Sequence, residues 1–372
     1  MSGPATTRSF RPTVAEIDLD AIRHNVGRLR PPGVELMAVV KADAYGHGAV
    51  PVARAAIEAG ATWLAVALVE EGIALRDEGI AVPILVLSEV PRGAEREALG
   101  AALVPTVASY DGVASIAAAA RALGLHAPVH LKIDTGMHRV GVWPPEDAPE
   151  LARAIVDGGL HLDGVFTHLA SAESDPAFTE VQLARFRDAV AAIEARGIRP
   201  HLRHAANSAA TILHSAAHLD LVRAGIAMYG LPAGPGLDAG FRPALRLRSR
   251  VATVRRLDAG EALSYGQTYR LHAPATVATV PIGYADGFPR TAVPGAEALI
   301  RGRRLPIAGR VTMDMLLVDC GDDPVAEGDE VVLIGEQGGE RIDVERLAAL
   351  TGTIPYEIVT RLGARLPREH RG

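Results

Sequence analysis

Ala38-Val39-Val40-Lys41-Ala42-Asp43-Ala44-Tyr45-Gly46-His47-Gly48 drives an apolar run straight into a lysine and then turns at Gly-His-Gly. Residues 36–40 read as a strand buried on both faces, and 50–58 read as the helix that follows it. A continuous apolar strand feeding an alanine-rich helix is one unit of a parallel sheet covered on both faces. Working outward, the unit repeats. Further strands are expected at 63–67, 84–87, 103–107, 129–133, 162–167, 201–205 and 221–223, with helices such as 113–123 and 181–195 between them. Eight such units close most economically as a TIM-type (β/α)₈ barrel. The open, doubly wound alternative lacks a Gly-x-Gly-x-x-Gly word after a strand.

The texture changes at Pro232-Ala233-Gly234-Pro235-Gly236, a run of breakers. Beyond it, shorter runs at 245–254, 276–282, 305–308, 315–318 and 330–334 are separated by turn words such as Asp258-Ala259-Gly260 and Glu327-Gly328-Asp329. That spacing predicts an all-β domain. The expected organisation is an N-terminal segment 1–13, an α/β barrel over 14–240 and a C-terminal β domain over 241–372. Residues 14–20 precede the first barrel strand and are expected to pair with the second domain.

Composition narrows the function classes. The 372 residues carry 38 Lys+Arg against 44 Asp+Glu, a net charge of −6, which argues against nucleic acid as a partner. A single cysteine, Cys320, excludes an intramolecular disulfide. The N-terminus lacks the order of a secretory signal, and no apolar run is long enough to span a bilayer; a cytoplasmic protein is expected. Thirteen histidines without metal-ligand spacing do not make a metal site. His214 and His218 are four apart but lack a third ligand. Arg246, Arg248 and Arg250 alternate along one strand and read as a solvated or subunit-facing row.

In a barrel of this type the chemistry sits at the C-terminal ends of the strands. Lys41 ends the first strand, Asp134-Thr135-Gly136-Met137-His138-Arg139 follows the fifth, and His168 ends the sixth. Asn207 and Ser208 follow the seventh, and Arg223-Ala224-Gly225-Ile226 closes the eighth. A desolvated lysine is a nucleophilic amine suited to an aldehyde. A serine hydroxyl with the backbone N–H groups at Gly225 and Ile226 suits an anion. Arg223, after an apolar run, is a costly buried cation unless it is hydrogen-bonded.

These words resemble those of the alanine racemases, and the resemblance runs from the lysine word to Pro355-Tyr356-Glu357. It implies a pyridoxal-phosphate-dependent homodimer with an N-terminal barrel, a C-terminal β domain and active sites shared between subunits. By resemblance, Lys41 holds pyridoxal 5'-phosphate as a Schiff base. Tyr45, Ser208, Gly225, Ile226 and Tyr356 hold the phosphate, and His168 and Asn207 join the cofactor site. Arg223, oriented by His204, faces the ring nitrogen, and Arg139 meets the phenolic oxygen and the substrate carboxylate. Lys132 matches a lysine that family members often carry as a carbamate, which steadies that arginine. Leu263-Ser264-Tyr265-Gly266 matches the word of the second catalytic base, delivered from the partner subunit. Met313, in Gly309-Arg310-Val311-Thr312-Met313-Asp314, approaches the substrate carboxylate, and Thr312 stands where many members have cysteine. Tyr284, Glu173, Arg290, Arg310 and Ile354 resemble the lining of the substrate corridor. The implied activity is interconversion of L- and D-alanine by two bases, Lys41 for the D- and Tyr265 for the L-enantiomer, supplying D-alanine for peptidoglycan. A serine or broad-specificity racemase is the alternative. A cofactor carrier would lack the β domain, and a decarboxylase of the same fold would need a cysteine near the cofactor.

Overall fold

The computed structural model describes residues 10–237 and 240–372. Most of the expected N-terminal segment, residues 1–9, and residues 238–239 beside the expected domain boundary lie outside the described residues. Two compact units emerge, Leu19–Arg242 and a second that joins the N-terminal stretch to Pro243–Gly372.

The first unit contains the eight expected parallel strands. With β1 as Val14–Asp18, they are β2 (Glu35–Val39), β3 (Trp63–Val66), β4 (Ile84–Glu89), β5 (Val104–Val107), β6 (Pro128–Lys132), β7 (His161–Phe166), β8 (Leu202–His204) and β9 (Leu221–Ala224). Each pairs in parallel with its predecessor from β3 to β8, and β9 pairs with β2. The gap between β8 and β9 is spanned by two backbone bonds: Asp220 N–H donates to the Arg203 carbonyl and Arg223 N–H to that of Ala206. The barrel is therefore nearly closed, with a looser seam at β8 and β9.

Helices cover the strands because their starts and stops are written locally. Tyr110–Leu123 begins at Ser109, whose hydroxyl accepts from Gly112 N–H, and ends at Gly124 in the left-handed region. Pro176–Ala195 begins at Asp175, whose carboxylate accepts from Phe178 N–H, with proline at its first position. Their apolar faces meet strand residues such as Val129, Leu131, Leu162 and Val165 in one buried cluster, and this burial supplies most of the driving force.

Two expectations about the barrel need correction. The barrel span does not begin at residue 14. β1 pairs antiparallel with Leu245–Arg250 and parallel with Arg368–Arg371, so it completes the sheet of the second unit, as expected of this stretch. The first barrel strand also stops at Val39, and Lys41 opens a short turn beyond it.

The second unit is mostly β. Its larger sheet has seven strands, and a three-stranded sheet joins Thr253–Leu257, Ala275–Val280 and Leu316–Asp319. It is not all-β, because Val344–Thr351 and Pro355–Thr360 are helical. Arg246 and Arg248 do not form a solvated row. Both bind the buried Glu16 of β1, at 2.9 and 2.5 Å, and Arg371 reaches it at 2.6 Å. Burial alone would raise the Glu16 carboxyl, but the hydrogen bonds from Arg248 and Arg246 outweigh it and hold the group below its ordinary range. The arginine alternation is the signature of a charge-locked β1–Leu245–Arg250 pair.

Candidate active site

The turn after β2 is the most unusual backbone in the barrel. Ala42, Asp43, Ala44 and Tyr45 all lie at φ 51 to 53°, a left-handed turn made without glycine, at roughly 1–2 kcal/mol per residue. Side chains hold it. Glu71 Oε1 accepts from Ala42 N–H at 2.6 Å, while Oε2 accepts from Ala67 and Leu68 N–H at the end of β3. Asp43 Oδ1 accepts from Ala49 N–H at 2.7 Å. His47 is buried and sets Nδ1 against the carbonyls of Ala44 and Tyr45. Tyr45 and His47 pack on the buried ring of Tyr229 at 4.9 and 4.6 Å, and Tyr229 hydroxyl donates to the Val39 carbonyl at 2.8 Å. The result is a rigid mount for Lys41. Burial and the nearby Arg139 lower its amine pKa, and Glu71 opposes them.

Opposite the turn, Asn207 Oδ1 caps helix Ser208–Leu213 by accepting from Ala210 N–H, which leaves Ser208 on the first turn. Ser208 Oγ accepts from Gly225 N–H at 2.9 Å and from Ala227 N–H at 3.4 Å. A Cβ at Gly225 would lie 3.2 Å from Tyr45 hydroxyl and 3.6 Å from Ser208 Oγ, so Tyr45, Ser208, Gly225 and Ile226 gather at one spot. Hydroxyls and bent backbone in this arrangement suit a phosphate-like anion.

Arg223 lies deepest, with 3 % of its surface exposed. Its two terminal nitrogens donate to the carbonyls of Thr167, His204 and Ala205 at 2.8 to 3.2 Å, to His204 Nδ1 at 2.9 Å and to His168 Nδ1 at 3.3 Å. Burial pulls its pKa down to about 9, so it keeps its charge at neutral pH. Burial and that charge push both His168 and His204 well below the ordinary imidazole value, so both are neutral acceptors. Phe166 stacks on His204 at 4.7 Å and lies under both Arg223 and Lys132, at 5.5 and 5.3 Å from its ring centre.

Lys132 is buried at the end of β6, where it donates to the Leu87 carbonyl at 3.2 Å. Burial first, then Arg223, Arg139 and Lys41, pull its pKa down to about 8. The next residue but one, Asp134, accepts from the N–H groups of Gly136, Met137 and Arg139. A Cβ at Gly141 would strike Asp134 N at 2.5 Å, so this tight loop, which carries Arg139, depends on that glycine. Lys132, Asp134, Met137, Arg139, Thr167 and His168 line one recess.

Glu173 stands in the barrel, where a Cβ at Gly234 would meet it at 2.6 Å; the remaining expected residues lie in the second unit. Ser264 is held at φ 61° and its hydroxyl donates to the Arg310 carbonyl at 2.6 Å; Tyr265 follows, 71 % exposed. Tyr284 and Ala285 N–H bind the carbonyls of Thr312 and Met313, where a Cβ at Gly283 would come within 2.3 Å. The Tyr265, Tyr284 and Met313 words thus form one cluster. Thr312 hydroxyl donates to the Met315 carbonyl and accepts from its N–H, a turn-closing pair that a cysteine would make weakly. Tyr356 lies on helix Pro355–Thr360. Cys320 is buried with its thiol pushed up to about 11, inert as an acid or nucleophile at neutral pH. His214 and His218 each bind a carbonyl, and no metal-holding group occurs among the described residues.

Sequence reasoning missed Glu71, His130, Asp163, Phe166 and Tyr229. It also passed over one plain signal: the chain has two lysines, Lys41 and Lys132, against 36 arginines, and both stand in this barrel.

Two family models match. Residues 17–233 match the alanine racemase N-terminal domain and 244–370 the alanine racemase C-terminal domain. The chain is 51 % identical to the alanine racemase of Symbiobacterium thermophilum, over 98 % of each chain. Among solved structures it is similar to the alanine racemase of the D-cycloserine-producing Streptomyces lavendulae, with TM-score 0.93, 42 % identity and 98 % of each chain covered. It is also similar to the Bacillus anthracis enzyme solved with bound L-Ala-P, with TM-score 0.91, 37 % identity and 98 % and 96 % covered.

The lowered Lys132 pKa has a measurable consequence. Below about pH 8 the amine is protonated in both folded and unfolded chains, and the fold bears the whole cost of burying it. Between about 8 and the ordinary lysine value near 10.4, the folded amine is neutral while the unfolded one is still charged, so stability rises with pH. Lys132→Met in carbonate-free buffer is expected to stabilise the fold by roughly 3 kcal/mol at pH 7. The advantage should disappear above about pH 10.5; unfolding curves across pH measure it.

Proposed function

This chain belongs to the alanine racemase family, and we propose that it interconverts L- and D-alanine with two bases, Lys41 and the Tyr265 of a partner copy. The family is an isomerase family that depends on pyridoxal 5'-phosphate. The single observation that supports the reading best is the convergence, in one barrel, of a lowered lysine amine, an anion cradle at Tyr45, Ser208 and Gly225, and the buried Arg223 guanidinium. That donor set fits an aldehyde bearing a phosphate and a ring nitrogen.

When bound, the cofactor supplies a conjugated ring that withdraws electrons and so acidifies the substrate α-proton. Lys41 would hold the aldehyde, and Tyr45, Ser208, Gly225 and Ile226, with Asn207 capping the helix, would hold the phosphate, a role the family resemblance also gives Tyr356. Arg223 would serve the ring nitrogen as a donor that retains its proton, which would limit the electron sink and favour racemisation over side reactions. Arg139 neutralises the substrate carboxylate, with Met313 beside it. The lowered Lys41 amine takes or returns the α-proton on one face. Tyr265 does so on the other, and neutral His168 supports it. Because the two bases are carried by different units and Tyr265 is 71 % exposed, we read the working enzyme as a homodimer that shares its sites. The same reading makes it a cytoplasmic source of D-alanine for peptidoglycan. Among the described residues no helix is long and apolar enough to cross a membrane.

We read Lys132 as carbamylated. A pKa near 8 leaves a useful share of neutral amine to attack CO₂, and the resulting anion suits the positive field of Arg139, Arg223 and Lys41. With ¹³C-bicarbonate, a carbamate carbon signal is expected in the wild type and none in Lys132→Met. A wild-type spectrum without that signal removes this part of the reading.

The activity itself is tested by incubating purified protein with each L-amino acid, with and without added pyridoxal phosphate, and following chirality. Alanine should racemise far faster than serine or lysine, and comparable alanine and serine rates would make it a broad-specificity enzyme. Tyr265→Phe should reduce α-proton exchange from L-alanine by about 10²-fold or more, with a smaller loss from D-alanine. Equal losses from both enantiomers would count against two bases.

A further inference from the structure

Arg223 is the end of a longer chain of side chains. His204 turns its second ring nitrogen, Nε2, toward His130 Nδ1 at 2.9 Å, and His130 Nε2 lies 3.4 Å from Asp163 Oδ2. His130 and His204 are fully buried, whereas the Asp163 side chain keeps 18 % exposure near the start of β7. The chain thus runs from the rim that carries His168 toward the opposite end of the barrel; the five residues of extended backbone from Asp163 to His168 would span about 16 Å.

The proton positions follow from one fact: a guanidinium can only donate. Arg223 donates to His204 Nδ1, so that nitrogen carries a lone pair and neutral His204 has its proton on Nε2. Nε2–H then donates to His130 Nδ1, which must accept. His130 therefore carries its proton on Nε2 and donates to Asp163. Reversing either ring would bring two N–H groups face to face somewhere in a dry core, where an unsatisfied donor is costly. A second, independent observation shows that the barrel makes room for this ring. A Cβ at Gly164 would lie 2.6 to 2.7 Å from three atoms of the His130 imidazole, so β7 lacks a side chain where the ring stands. Trp63 packs against it at 5.2 Å. Asp163 Oδ1 also faces His161 and His201 at 3.6 and 3.9 Å.

We propose that His130 and Asp163 are positioning residues, which fix His204 as its Nε2–H tautomer and thereby hold Arg223 aimed into the site as a pure donor. The catalytic consequence rests on the reading of Arg223 given above; the directed chain itself does not. Residues of this kind act through a neighbour and touch neither substrate nor cofactor.

Nitrogen NMR of ¹⁵N-histidine-labelled protein, cofactor-free and loaded, tests it together with kinetics. His204 and His130 should both show protonated Nε2 and lone-pair Nδ1, with slowly exchanging N–H signals. His130→Leu should abolish the protected His204 signal and lower kcat about tenfold with little change in KM. His130→Gln, which can accept from His204 and donate to Asp163, should restore both in large part, and a folded His130→Gln guards against His130→Leu failing to fold. A wild-type His204 protonated on Nδ1 overturns the chain. Loss of the His204 signal with unchanged kcat overturns the positioning role. If Arg223→Lys leaves racemisation unaffected while the imidazole signals behave as expected, the failure belongs to the reading of Arg223.

Discussion

A guanidinium out of water organises this barrel. Burying a full positive charge costs several kcal/mol unless its donors are met, and Arg223 meets that demand with three carbonyls and two imidazoles. The charge then acts on everything near it. His168 and His204 stay neutral, Lys132 falls to about 8, and Phe166 offers its ring face to both cations. Burial is the larger cause of these three lowered pKa values, and the Arg223 charge adds to it at each.

The second constraint is the left-handed turn at Ala42–Tyr45. Four non-glycine residues in a region suited to glycine store strain, and such strain persists where surrounding contacts over-determine it. Here Glu71 ties the turn to the end of β3, and Tyr229 ties Tyr45 and His47 to β2. Lys41 gains a fixed direction that an unstrained loop would not give it. The same logic recurs at Ser264, where a strained residue sets the base of Tyr265.

Much of this was legible in the residues. The eight barrel strands appear where unbroken apolar runs stand, because a strand buried on both faces has little freedom to be anything else. The lysine, serine and arginine at strand ends followed from the barrel rule. Other features were not legible, for physical reasons. The pairing of Val14–Asp18 with the second unit was expected, but its exact partners, Leu245–Arg250 and Arg368–Arg371, lie more than two hundred residues away and only tertiary pairing reveals the register. Lys41 reads as the end of a strand because left-handed alanines have no sequence signature. The arginine row at 246–250 looked solvated because its partner, Glu16, is equally remote. His130 resembles any core histidine until Gly164 is seen to stand aside for it.

The scarcity of lysine has a chemical consequence of its own. The other basic side chains are arginines and histidines, and neither a guanidinium nor an imidazole forms a simple imine under mild conditions. Apart from the N-terminal amine, an aldehyde meeting this chain finds two ε-amines, both inside one barrel. Selectivity toward a carbonyl compound is therefore written into amino-acid usage across the chain as well as into the barrel.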